Sequence, residues 1–460
     1  MPSVAPQPAS GQHQAVHGYA FPYPYGYAWP GYSYAAPYPS YYPYGYGYSP
    51  PPWVWARPPK APGETYAQVI GGVVLGMGVL SILLALLAGG VAALIAVTGN
   101  FDSLPVQDIL LVPTIAGLVG GGFAIYYGIR ALMRSPSPRF TLPRPLLFVG
   151  LTALVLVVAI VQWHLNLHAG PGPAIATFPL VLLSGVLPAL AILSFASWRM
   201  HLPGSRRHVW MSFFYGVTLA PLLALIGEIV FSIILGRTSP STQLNPNDPA
   251  RVIRLLVEIA VSAPLIEEGV KPLAAILIMP RLRTAASAFL VGMAGGIGFD
   301  MFETTFTYIG TGEADWVQVA FVRVGAGLLH GLGAGMVALG WYYFINGRGV
   351  HRRWLKGVAC IVYAVAQHAV FNGSAVLVDF LPTPVEKWLG QVFYIGQFPV
   401  SVGYLPFFGL DALILVMLIF MTGRLLRASE AAPAAPPAAT PAAGVPVAPG
   451  AEPAPVGGAA

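Results

Sequence analysis

The sequence predicts an all-α, polytopic transmembrane helical bundle of about ten spans. Of its 460 residues, 56% are hydrophobic and 9% are charged, whereas soluble domains carry roughly 25% charged residues. Successive apolar stretches, each long enough to cross a bilayer core of about 30 Å as a helix, fill the chain between residues 67 and 423. A soluble fold could not cover this much apolar surface. The predicted spans are 67–97, 109–129, 146–166, 174–198, 209–236, 256–279, 285–309, 319–346, 357–378 and 391–423.

The chain divides into two tails and two membrane parts. Residues 1–63 repeat Tyr with Pro and Gly and lack the aliphatic side chains of a core, so we expect a disordered cytoplasmic tail. Residues 64–250 hold about five spans, and residues 251–427 hold about five more, including every candidate catalytic residue. Residues 428–460 are rich in Ala and Pro and predict a second disordered tail.

Loop charges predict the orientation of the spans. The net charge is +6, but the basic residues are scattered over short loops, which argues against nucleic-acid binding. If the N-terminus is cytoplasmic, most of the 23 Lys and Arg also fall on the cytoplasmic side, for example at Arg144, Arg207 and Arg353. This agrees with the positive-inside rule. We therefore expect a multi-pass protein of the cell membrane with both termini in the cytoplasm.

Cysteine usage limits the available chemistry. The single cysteine, Cys360, lies in an apolar stretch. One cysteine forms neither a disulfide framework nor a thiolate metal site within this chain. Any metal must therefore be held by histidines and carboxylates.

The ionisable residues are concentrated in the sixth to ninth spans. An ionisable side chain at membrane depth costs on the order of 3 kcal/mol, so each one there suggests a function. The sixth span carries Glu267, Glu268 and Lys271, and on a helix the lysine can reach either carboxylate. Two adjacent carboxylates in different environments suit acid and base catalysis. Glu228 on the fifth span is expected to lie outside this cluster.

The next three spans add an acid, two histidines and an amide. Glu303 follows glycines that permit close helix packing, with Asp300 on the same side of the helix and Tyr308 as a candidate hydrogen-bond donor. The eighth span carries His330, near Arg323. The ninth span carries His368 and Asn372, which share a helix face because they are four residues apart. The candidate catalytic residues are Glu267, Glu268, Glu303, His330, His368 and Asn372.

Two hydrolytic routes fit these groups. Two imidazoles and a carboxylate form the ligand set of a catalytic Zn²⁺ site, and His330 and His368 with either Glu303 or Glu267 could supply it. The metal ligands favoured here are Glu303, His330 and His368. In a metal-free route, Glu267 deprotonates a water and the Asn372 amide stabilises the oxyanion. Neither route needs a Ser or Cys nucleophile, and the sequence has no Gly-x-Ser-x-Gly or His-Glu-x-x-His motif.

These motifs resemble, in the same order, those of the PrsW family of intramembrane proteases. The motifs are Glu267-Glu-Gly-Val-Lys271, Phe302-Glu303 with Tyr308, His330, and His368-x-x-x-Asn372. The resemblance covers about residues 250–380 and extends to the group that includes CAAX prenyl endopeptidases and bacteriocin-processing membrane proteases. It implies a glutamate-type or metal-assisted peptidase acting on membrane-anchored proteins such as anti-sigma-factor-like regulators.

Two other classes of function are weighed against this one. Chains of Glu and His also form proton relays, so a proton- or metal-coupled transporter is the first alternative. Transporters usually repeat one half of the fold in the other, whereas the polar residues here are concentrated in the second half. The second alternative is a non-catalytic membrane scaffold, which would leave a costly cluster of charges idle.

Overall fold

A computed structural model describes the membrane part of the chain. The described residues are 64–97, 104–133, 140–165, 171–201, 205–235, 249–311, 323–347, 349–377, 383–395 and 398–430. The two predicted tails lie outside them, apart from a helix that continues from the last span to Glu430.

The described elements are almost entirely helical. The helices are α1 (Glu64–Val97), α2 (Leu104–Leu132), α3 (Pro145–His164), α4 (Pro171–Met200), α5 (Arg206–Ile234), α6 (Pro249–Leu256), α7 (Ala263–Val270), α8 (Leu273–Leu277), α9 (Ala285–Thr311), α10 (Ala326–Ile345), α11 (Arg353–Leu377), α12 (Thr383–Leu389) and α13 (Leu405–Glu430). Eight of them are long and apolar enough to cross a bilayer. The predicted polytopic all-α bundle is confirmed.

Two helices form the centre of the bundle. Within the apolar, membrane-spanning stretch of each helix, 78% of the residues of α9 and 72% of those of α10 are buried. The corresponding share is 22% in α1 and in α3. Leu and Val side chains of the outer helices are exposed, as lipid contact requires. The candidate residues Glu303 and His330 therefore lie on the two most deeply buried helices.

Glycines set the close approach of the central helices. A Cβ atom added at Gly296 of α9 would collide with the carbonyl oxygen of His330 on α10, and one added at Gly216 of α5 would collide with that of Gly295. Only residues without a side chain permit such backbone contact. This packing brings the backbone of α9 against the segment of α10 that carries His330.

The sixth predicted span is not one continuous helix. A π-helical turn, Val257–Ser262, separates α6 from α7. Pro272 then separates α7 from α8, because proline has no N–H to continue the ladder of helix hydrogen bonds. The Tyr215 hydroxyl donates to the carbonyl of Val270 at 2.8 Å and ties the end of α7 to α5. The glutamate pair thus lies on a short helix between two breaks.

The tenth predicted span begins later than expected. The strands β1 (Val392–Ile395) and β2 (Phe398–Ser401) form an antiparallel hairpin in which Tyr394 pairs with Pro399. A 3-10 turn, Val402–Tyr404, leads into α13. The prediction of a helix over the hairpin residues was wrong, because their alternating β-branched and aromatic side chains suit a strand.

Candidate functional site

Lys271 is shared between the two glutamates of α7. Its side chain is fully buried, and its Nζ lies 2.8 Å from Glu267 Oε2 and 2.8 Å from Glu268 Oε1. The ammonium also lies 4.5 Å from the centre of the Phe299 ring, where a cation–π contact stabilises it. The sequence suggested that one carboxylate would pair with the lysine and the other would face elsewhere. The structure pairs the lysine with both.

His368 of α11 connects with both glutamates through its two ring nitrogens. Nδ1 lies 3.0 Å from Glu268 Oε1, and Nε2 lies 3.7 Å from Glu267 Oε2. An imidazole that donates a hydrogen bond from Nδ1 to a carboxylate keeps Nε2 as a proton acceptor or metal ligand. Glu268 thus orients His368, and the free nitrogen points towards Glu267.

His330 of α10 completes the group of imidazoles. The residue is buried, and its ring lies 5.3 Å from the ring of His368, nearly at a right angle. Its Nε2 lies 2.9 Å from Glu303 Oε2. The predicted proximity of the two histidines and the glutamates is therefore observed.

Arg323 contacts Glu303 at the carboxylate oxygen that does not face His330. Arg323 Nη2 lies 3.1 Å from Glu303 Oε1 and 3.8 Å from Asp300 Oδ1, and Nε donates to Thr304 Oγ1 at 3.2 Å. Asp300 is buried and accepts a hydrogen bond from Thr304 Oγ1 at 3.0 Å. Asp300 thus acts as a partner within this arginine network.

Asn372 forms no hydrogen bond with the described carboxylates or imidazoles of the site. Its amide Nδ2 is 3.4 Å from the carbonyl oxygen of Ile259, in the π-helical turn that precedes α7. Gly373 faces Ala260 of the same turn. Its spacing from His368 suggested that Asn372 is an oxyanion donor. The structure instead favours a role in positioning the π-helical turn. The side chain of Tyr308 lies outside the described part of the chain.

A cavity of about 430 Å³ lies beside the carboxylates. Its walls are mostly apolar and come from α1, α2, α5, α7 and α9. Leu80, Leu84 and Leu225 line it and are themselves exposed. At the inner end, Glu267 and Glu303 face the same space. A segment of another protein within the bilayer could reach both glutamates by this path.

Glu228 also lines this cavity, which corrects the expectation that it lies outside the cluster. Its position on α5 gave no indication of this, because the cavity is formed by helices distant in sequence. The structure also shows two contacts that the sequence did not indicate. Gly333 makes room for Glu268, and the carboxylate of Asp411 on α13 lies against Gly325.

The residues fit a divalent metal. Among the described side chains, Glu267, His330 and His368 offer ligand atoms within 4.8 Å of one another, and all three residues are buried. Two imidazoles and one carboxylate are a ligand set of catalytic zinc. Glu303, favoured as the carboxylate ligand from sequence, contacts only one of the two imidazoles within 4 Å. The structure therefore favours Glu267 for this position.

The balance of charge supports the same fit. Four carboxylates, those of Glu267, Glu268, Asp300 and Glu303, are bridged by the two cations Lys271 and Arg323. Burying excess negative charge at membrane depth is costly. A bound divalent cation would offset the difference.

The fold and the site define a class of protein, a multi-pass membrane protein with a buried cluster of glutamates and histidines. Residues 204–403 match the family described as PrsW family intramembrane metalloprotease. The predicted family resemblance is confirmed, and intramembrane proteolysis follows as the general activity. The match extends beyond the motifs and includes α5 and the hairpin. No curated protein and no solved structure is significantly similar to the chain.

Proposed function

We propose that the chain hydrolyses a peptide bond of a membrane-associated protein and that Glu267 activates the attacking water. One observation carries this proposal. Glu267 belongs both to the buried Glu/His/His group and to the wall of the cavity. It is therefore the carboxylate at which a substrate and a catalytic water would meet.

The remaining groups orient Glu267 and complete the reaction. Glu267 accepts a proton from water as the oxygen attacks the carbonyl carbon, and it returns the proton to the leaving amine as the C–N bond breaks. His330 and His368 hold the reacting oxygen in place. Lys271 keeps Glu267 in position, and Glu268 fixes the ring of His368.

A metal would be held by the same residues. Glu267, His330 and His368 would bind a divalent cation such as Zn²⁺, which when bound polarises the substrate carbonyl and activates water. Glu303 would then be a carboxylate that is not a ligand and that both contacts His330 and lines the cavity.

The substrate proposed is a protein anchored by a single membrane span, such as an anti-sigma-factor-like regulator. The apolar walls and the exposed leucines of the cavity suit a segment arriving through the lipid. The proposed location is the cell membrane with both termini in the cytoplasm, on the basis of the distribution of basic residues.

Purified protein in liposomes tests this proposal. It is incubated with single-span candidate substrates, with and without a chelator, and fragments are identified by mass spectrometry. Cleavage that stops on chelation and returns with Zn²⁺ identifies the metal route, whereas cleavage that persists identifies metal-free activation by Glu267. Substrate left intact, together with proton or metal transport by the same liposomes, would contradict the proposal and favour a transporter.

A further inference from the structure

The cavity is lined by one acidic side chain that forms no ion pair with a described cation. Three glutamates line it. Glu267 is 2.8 Å from Lys271, and Glu303 is 3.1 Å from Arg323. Glu228, in contrast, forms no hydrogen bond or ion pair with any described residue. A carboxylate without an ion-pair partner at membrane depth is costly, so Glu228 is suited to a cationic partner that arrives from outside.

The wall around Glu228 matches a long cationic side chain. Val217, Ala224 and Leu225 lie on the same helix as Glu228, and Leu80 and Leu84 face them from α1. Lysine and arginine bury their methylene stems along apolar surfaces while the charged group reaches a polar partner. An apolar wall next to a carboxylate that has no ion-pair partner is complementary to this type of side chain.

We propose that Glu228 is a specificity residue that binds a lysine or arginine of the substrate close to the bond that is cleaved. Glu228, Glu267 and Glu303 face one cavity, so a basic side chain bound at Glu228 belongs to the segment that presents its backbone to Glu267. This inference rests on the proposed peptidase function. It names the substrate class as a membrane-associated segment with a basic residue next to apolar ones.

The test compares matched substrates of the purified full-length protein. A single-span substrate that the protein is known to cleave is prepared in pairs of variants. The two members of a pair carry Lys or Met at one position near the cleavage site, because Met has a similar unbranched side chain without charge. For wild type, kcat/KM is expected to favour Lys at one position by about tenfold or more, chiefly through KM, as one buried ion pair can provide. Glu228→Gln is expected to bring the ratio close to one.

A control and a charge swap make the result decisive. Glu258→Gln is the matched control, because Glu258 accepts a hydrogen bond from Ser232 and does not line the cavity. It should leave the Lys-to-Met ratio unchanged. Glu228→Lys should reverse the preference, so that a substrate with Glu at this position is cleaved better than one with Lys.

The failure of this inference can be separated from failure of the proposed function. Wild type that cleaves Lys and Met substrates equally, with Glu228→Gln unchanged, would overturn the specificity role and leave the peptidase intact. Wild type that cleaves none of the substrates would remove the peptidase assignment and the inference with it.

Discussion

Glu268 Oε1 lies 3.0 Å from Nδ1 of His368, and the two residues come from helices about one hundred positions apart in sequence. This contact fixes which imidazole nitrogen faces Glu267. It also makes Glu268 a positioning residue, because the same oxygen lies 2.8 Å from Lys271. We therefore propose separate roles for the two neighbouring glutamates, with Glu267 acting on the substrate and Glu268 orienting His368.

Glu268→Gln should lower kcat by roughly 10- to 100-fold, the usual cost of losing the partner of a metal-type histidine. The glutamine lacks the charge that holds both Lys271 and His368. The measurement is cleavage of a verified substrate together with Zn²⁺ affinity by calorimetry. Glu258→Gln, the same change on the π-helical turn, serves as the control, and equal kcat for the two variants would contradict the positioning role.

Gly333→Ala should impair activity through Glu268. A Cβ at this position would lie 2.5 Å from Glu268 Oε2 and 3.2 Å from Gln367 Nε2, so the carboxylate must shift. Gly269→Ala is a matched control on α7, where an added Cβ meets nothing within 4 Å. We expect a large loss of cleavage for Gly333→Ala and near wild-type cleavage for Gly269→Ala. Similar activity of both variants would show that the position of Glu268 is not critical.

Arg323→Gln should lower both stability and activity. The substitution removes the guanidinium that faces the carboxylate of Asp300. Asp300 is only 2% exposed, so water does not replace this cation. Removing one partner of a buried ion pair typically costs about 3–5 kcal/mol. Thermal unfolding in detergent should show a lower Tm, and Asp300→Asn added to Arg323→Gln should recover part of it. A double variant no more stable than Arg323→Gln would argue against this ion pair as the cause.

Asn372→Ala should reduce cleavage less than His368→Ala. The amide donates to Ile259 in the π-helical turn, so its loss loosens the support of α7 without removing a reacting group. An oxyanion donor would instead cost roughly 100- to 1000-fold in turnover. Comparing kcat of the two variants decides between these roles. A loss for Asn372→Ala as large as that for His368→Ala would restore the oxyanion role inferred from sequence.

Reporters fused after Arg144, Arg207 and Arg353 should all indicate the cytoplasm. These loops carry the basic residues that the positive-inside rule places there. Fusions after residue 98, between the first and second predicted spans, and after residue 240, between the fifth and sixth, should report the opposite side. Cytoplasmic signals from these two fusions would contradict the proposed orientation.

Composition was sufficient to predict the fold class and the types of residue in the site. Apolar length identified the long membrane helices, but not the breaks in the sixth span or the hairpin before the last. The cost of burying charge drew attention to Glu267, Glu303, His330 and His368. Their mutual contacts depend on how each helix is rotated, which close backbone packing at glycines such as Gly296 decides. That rotation is a property of the packed helices and is not visible in any one segment.

Two local features, the π-helical turn and the hairpin, could not be predicted from the sequence. Nor could the position of Glu228 in the cavity. The π-helical turn at 257–262 has the same apolar composition as a regular helix, so nothing in it predicts the change of hydrogen-bond pattern. The hairpin at 392–401 is too short to distinguish from the start of a span by apolar content alone. Glu228 lies near the site because α1, α2, α5 and α9 line a common cavity.

Cleavage in heavy-oxygen water is the most direct measurement of the proposed role of Glu267 in activating water for peptide hydrolysis. A verified single-span substrate is incubated with purified wild type or Glu267→Gln, and the new C-terminal carboxylate is examined by mass spectrometry. We expect wild type to introduce one heavy oxygen atom per cleaved bond and Glu267→Gln to produce no cleaved fragment. Cleavage by Glu267→Gln at the wild-type rate, with the same incorporation of heavy oxygen, would contradict this role.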